Sequence, residues 1–187
     1  RDSQTTNGWI YLYRVANNYK DIIQRCEDPT TATQMSAFGD IENQIAISRI
    51  MLAYTFDNLV THFGDVPYWS YGNKNADFQA LQVDDYIAPK YATQEVIYTD
   101  LLKELKEASE QLDVSKSGFT NGDNIYDGDV AKWKKFANSL RLRIANRVKD
   151  KLPAAQTHIN EALASGVFTS NADNAAHAFG SADAEGN

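Results

Sequence analysis

The sequence predicts an all-α protein of antiparallel helix pairs. Three observations carry this reading. Apolar residues recur at spacings of three and four over five separate stretches. Glycine, proline, asparagine and aspartate collect between those stretches, where helices stop. No stretch alternates apolar and polar residues convincingly enough to read as a strand. Stacking helix on helix satisfies such stripes, which is the tetratricopeptide-like solution, although no clean repeat of about 34 residues is present.

The first helix is expected from about Gly8 to Cys26, with Asn7 as its N-cap. Its stripe is Trp9, Leu12, Tyr13, Ala16, Tyr19, Ile23 and Cys26. Asp28-Pro29 ends it. The second runs from about Asp40 to Phe63 on Ile41, Ile45, Ser48, Leu52, Phe56, Leu59 and Phe63. Ile47, Met51, Tyr54 and Val60 add apolar character on other sides, which predicts burial on more than one face. Gly64 tolerates the positive φ that closes a helix. Pro67 holds Val66 extended and prevents the helix from resuming.

Residues 64 to 92 keep no period, yet Tyr68, Trp69, Tyr71, Phe78, Tyr86 and Tyr91 are set among turn formers. A loop this long is functional or disordered, and so many rings argue against disorder. The third helix starts after Thr93, a good cap, and carries Ile97, Leu101, Leu105, Ala108 and Leu112. Asn121-Gly122 and Asp127-Gly128 mark turns in a second loop, Asp113 to Gly128. Asp129 caps a fourth helix, about Val130 to Asp150, with Val130, Trp133, Ala137, Leu140, Ile144 and Val148 in register. A fifth begins at Pro153 and ends at Gly166.

At 187 residues the chain has room for one domain with a real core, and 1–187 reads as a single helical region. A net charge of −7 argues against a nucleic-acid partner. Eight of the 18 Lys and Arg residues fall between Lys132 and Lys151, which reads as a solvated helix face, with a partner or anion site as the alternative. The single cysteine, Cys26, cannot form an intrachain disulfide and reads as a buried small residue. No stretch approaches the roughly 20 apolar residues of a membrane span.

Chemistry-bearing motifs are few. His62, His158 and His177 are isolated, without metal-ligand spacing, so no cofactor and no metal are expected. Asp123, Asp127 and Gly128 match three positions of a calcium-binding loop, but Ile125 and Lys134 stand where oxygen ligands are needed. The preferred reading there is a turn leading into a capped helix. Asp84-Asp85 offers paired carboxylates, but sequence does not set the separation that glycoside hydrolysis depends on. Asn138, inside a helix, is expected to tie it to neighbouring backbone.

The loop rings are the better candidates. Sugar C–H faces pack on indole and phenol rings, while amides bind hydroxyls. Tyr68, Trp69, Tyr71, Asn73 and Phe78 supply both in one short loop and form the candidate ligand-binding set. The competing reading makes these rings hydrophobic plugs that anchor the loop.

Together these motifs resemble one family. The Trp9…Tyr13…Asn17 helix, the helix ending Phe63-Gly64-Asp65-Val66-Pro67-Tyr68, the third helix, and Trp133-Lys134-Lys135-Phe136-Ala137-Asn138-Ser139-Leu140-Arg141-Leu142-Arg143 occur in the order found in SusD/RagB-type outer-membrane lipoproteins of the SusD-like branch. The resemblance spans about Trp9 to Gly166. Members are more than twice this length, so it implies an N-terminal portion of a longer single-domain protein. It implies attachment to the outer membrane through a lipidated N-terminal cysteine, which is not in this chain; Cys26 does not match it. It implies a surface-exposed, non-catalytic protein that captures oligosaccharide or peptide ligands. The partner it implies is a SusC/RagA-type TonB-dependent transporter. No ligand residue of the family transfers onto this sequence. The alternatives are a helical scaffold that binds protein or peptide partners without a glycan site and, less favoured, a secreted glycosidase.

Overall fold

A computed structural model of the chain describes residues 3–176. Six α-helices make up most of it: α1 Ser3–Glu27, α2 Ala32–Met35, α3 Ile41–Phe63, α4 Gln94–Gln111, α5 Val130–Val148 and α6 Ala155–Ser165. Two 3-10 turns, Ser36–Phe38 and Asn171–Asp173, and two short strands complete the described elements.

The long helices stack in chain order, each antiparallel to the one before. Tyr13 meets Phe56 and Trp9 meets Phe63, while Cys26 lies beside Gln44, so α1 and α3 run in opposite directions. Asn43 binds the backbone at Asp113 and Arg49 pairs with Glu104, which sets α4 antiparallel to α3. This is the tetratricopeptide-like arrangement the stripes predict, without a regular repeat.

α3 is the central element. Every residue from Asn43 to Ile50 is buried, as are Phe56, Leu59 and Val60. Burial on all sides favours partners for its polar groups, which most find, although the Ser48 hydroxyl has none among protein groups. The Gln44 amide donates to the Met35 and Gly39 carbonyls at 2.9 Å each. Asp57, buried under α5, accepts from Arg143 and Arg147, both at 2.7 Å.

Side-chain caps open three helices, two of them, Thr93 and Asp129, as expected, while Asp40 was expected only as a helix start. Asp40, Thr93 and Asp129 each accept a backbone N–H from the first turn that follows. Gly64 takes a positive φ of 77°. Asn7, expected as a cap, lies inside α1, because the residues before it hold no breaker to stop the helix. α6 starts at Ala155 rather than Pro153, after a turn over 152–154. The strands β1 (Val66–Pro67) and β2 (Tyr91–Ala92) pair antiparallel, Val66 with Ala92 and Pro67 with Tyr91. Sequence did not suggest them, since a two-residue ladder leaves no periodic signal.

Asn138 corrects a further expectation. It is fully buried, yet neither its amide nitrogen nor its oxygen has a hydrogen-bond partner. Its neighbour Ser139 makes the tie instead, accepting from Phe168 N at 2.8 Å.

Candidate functional site

The loop between α3 and α4 leaves the core at Pro67 and returns at Tyr91, so the short ladder fastens both of its ends. Its first stretch, 68–73, is bolted onto α4 by two buried carboxylates one helical turn apart. Asp100 accepts the Tyr68 hydroxyl at 2.9 Å and the Asn73 amide at 2.7 Å. Glu104 accepts Gly72 N at 2.7 Å, the Ser70 hydroxyl at 3.2 Å and Arg49 Nε at 3.1 Å. Charge-assisted bonds of this kind are about twice as strong as neutral ones. A Cβ at Gly72 would meet the Glu104 and Glu107 carboxylates, which would have to shift to admit it.

Arg49 completes the base. It is buried, donates to Glu107 at 3.0 Å and Gln111 at 2.9 Å, and sets its guanidinium 4.6 Å from the Tyr71 ring centroid. The Tyr71 hydroxyl donates to Glu27 at 2.8 Å. Burial and that bond push it up to about 12, so it stays a protonated donor at neutral pH.

The five candidate residues therefore divide. Tyr68 is buried between Phe56 and Phe78, each edge-on at 4.8 Å, and its hydroxyl is held well above the usual phenol range by burial and by Asp100. Phe78 is buried with it. Asn73 is half-buried, with its amide nitrogen on Asp100. Trp69 and Tyr71 are half-buried and line an open groove of about 520 Å³. Lys74 approaches both rings, and Lys20 approaches Trp69 at 5.7 Å while donating to the Leu81 carbonyl. Burial lowers the Lys20 ammonium from its ordinary value, opposed by Asp84 and Asp85. The opposite wall of the groove is α1, through Asn17, Gln24 and Glu27. Rings beside amides, ammoniums and carboxylates can stack a sugar face and bind its hydroxyls.

Asp100, Glu104 and Arg49 are the residues that sequence reasoning missed. The signal was available: Arg49 interrupts the apolar run Ile45 to Leu52, and Asp100 and Glu104 flank Leu101 and Leu105 on a core-facing stripe.

Other candidates resolve into structure. The Asp123 carboxylate accepts from the backbone of Ile125, Tyr126 and Gly128 and from the Trp133 indole, so its oxygens are engaged in the turn that leads to α5. Among the described residues no group of three or more His, Cys, Asp or Glu is placed to hold a metal. His62 is exposed and bonds to the Asn58 carbonyl, His158 accepts from Arg141, and His177 lies outside the described residues. Four of the eight basic residues in and after α5 form ion pairs, Arg141 with Glu161, Arg143 and Arg147 with Asp57, and Lys135 with Asp173, and of these only Arg141 is buried while the others keep access to solvent. Cys26 is buried, which pushes its thiol up to about 11. No described helix is long and apolar enough to cross a membrane.

Comparison with known proteins agrees with this architecture. The SusD-like family described as "starch-binding associating with outer membrane" matches residues 1–187. A solved chitin-binding protein is 34% identical, with a TM-score of 0.74, over 94% of this chain and 34% of its own. A SusD-like protein of Bacteroidetes AC2a is 31% identical, with a TM-score of 0.73, over 97% and 32%. A SusD homologue from Bacteroides uniformis is 29% identical, with a TM-score of 0.70, over 89% and 31%. The chain thus spans about a third of the length of these relatives. No curated protein matches it.

Proposed function

Because the chain belongs to the SusD-like family, we propose that it binds oligosaccharide at the cell surface, without catalysis, and hands it to a TonB-dependent transporter of the outer membrane. Attachment through an N-terminal lipid anchor is part of the same proposal. The observation that carries the binding reading is the Trp69–Tyr71 pair, presented at a polar groove by a loop clamped to Asp100 and Glu104. Rigid presentation of rings lowers the ordering cost of binding. Within the proposed set Trp69 and Tyr71 make the stacking contacts. Tyr68, Asn73 and Phe78 hold the loop that carries them.

Two relatives inform the choice of probes, a family described as starch-binding and a protein named chitin-binding. Calorimetric titration of the full-length protein with maltohexaose and chitohexaose tests the proposal. Binding of either is expected, and Trp69→Ala should weaken it by about tenfold, the worth of one good aromatic contact. Unchanged affinity in Trp69→Ala would remove this groove as the site.

A further inference from the structure

The Trp69–Tyr71 groove does not end at Asn17. Leu81, Val83 and Asn17 line it on one side and a second groove, of about 800 Å³, on the other. The second groove is walled by Trp9, Tyr13 and Tyr91. Tyr91 is 64% exposed and lies nearly parallel to Trp9, with ring centroids 6.3 Å apart. Tyr13 is fixed in place by donating to the Pro67 carbonyl at 2.7 Å.

The two grooves run end to end along one stripe of α1. Ile10 and Arg14 line the second, Asn17 lines both, and Lys20, Gln24 and Glu27 line the first. Spacings of four and three put these residues on one helix face. At about 1.5 Å of rise per residue, the stripe from Ile10 to Glu27 is roughly 25 Å long. A trough of that length, with rings at both ends and polar heads between, fits a linear polymer better than a monosaccharide.

Resting on the binding reading above, we propose that the second groove is a further subsite, centred on Tyr91, and that the ligand is a linear oligosaccharide long enough to occupy both grooves. Tyr91 supplies its exposed ring face, and Arg14 and Asn17 supply hydroxyl contacts. The second groove is the more apolar of the two, with Arg14, Asn17 and Asn18 as its polar side chains beside the rings, and its continuity with the Trp69 groove through shared walls assigns the occupant to sugar rather than protein.

Chain-length dependence tests this. The full-length protein and the variants Trp69→Ala, Tyr91→Ala and Val83→Glu are titrated with chitobiose and chitohexaose, and with maltose and maltohexaose. Val83 is 78% exposed at the junction, so a charge there obstructs the trough without entering the core. Tyr91→Ala should weaken hexaose binding by about five- to tenfold and leave the disaccharide unchanged. Val83→Glu should act in the same direction, while Trp69→Ala should weaken both lengths. Hexaose affinity unaffected by Tyr91→Ala and Val83→Glu overturns the second subsite and leaves the first standing. If those variants instead lose retention on immobilised transporter with sugar affinity intact, the groove is a protein-docking face and the inference is likewise overturned. Failure of every oligosaccharide to bind the unaltered protein overturns the parent reading and this one with it.

Discussion

The guanidinium of Arg49 lies 4.6 Å from the ring centroid of Tyr71, on the inner side of the candidate site. The same side chain is only 6% exposed and pairs with Glu104, itself 5% exposed. One buried cation therefore serves two purposes: it neutralises the carboxylate that holds Gly72, and it supports the ring that faces the groove.

Removing that cation leaves Glu104 buried and unpaired. Such truncations cost about 3–5 kcal/mol, because the remaining charge is stranded away from water. Arg49→Ala is expected to lower stability by that order in urea denaturation. Sugar affinity should fall with it, since Tyr71 loses its support. Arg49→Lys should recover part of the stability and less of the affinity, because an ammonium cannot reproduce the planar fork.

Gly72→Ala probes the loop from the other direction. The added methyl must displace the Glu104 and Glu107 carboxylates. A cost of about 1–3 kcal/mol is expected, the usual range for an overpacked site. Chemical denaturation reads it directly. A neutral result would mean that the Glu104 and Glu107 carboxylates swing aside at little cost.

His158 makes stability depend on pH. Its Nδ1 accepts from Arg141 at 2.9 Å, which requires the neutral ring. Burial, then Arg141, holds the imidazole below its ordinary 6.5, with Lys106 adding to this and Glu161 opposing it. The unfolded chain therefore takes up the proton first as pH falls. Stability from this group is complete above the unfolded value and declines below it. Urea midpoints between about pH 7.5 and pH 5 should fall, and His158→Gln, which accepts from Arg141 without titrating, should flatten that slope. An equal slope in both proteins would assign the acid sensitivity elsewhere.

Asn138→Leu should stabilise the protein. The amide is fully buried with neither polar atom bonded to a protein group. Desolvating an unpaired amide costs about 1–3 kcal/mol on mutational scales, and a leucine of similar size avoids that cost. The thermal midpoint should rise. A drop would show that the amide has a partner worth keeping.

What sequence could reveal here follows from periodicity. The long helices and the caps at Thr93 and Asp129 were legible, because apolar spacing and cap chemistry are local. The fastening of loop 68–73 was not. Tyr68 and Asp100 are 32 residues apart, and Arg49 and Glu104 are 55 apart, so only the folded chain brings them together. The loop's aromatic content was visible, but not which rings turn inward: Tyr68 and Phe78 are buried while Trp69 and Tyr71 remain accessible. The second groove escaped notice because Trp9 and Tyr13 lie far along the chain from Tyr91.

The clasp of Val66 on Ala92 and Pro67 on Tyr91 makes the intervening segment a cassette. Its mouth is sewn shut by backbone, so its outer stretch, where Val83, Asp84, Asp85 and Ile87 are exposed, can change length and wording without moving α3 or α4. Each doubling of a flexible loop costs only about 0.6 kcal/mol. On the binding reading proposed above, a scaffold arranged this way would meet a new polymer by rewriting one short passage, leaving the helices as the constant binding of the book.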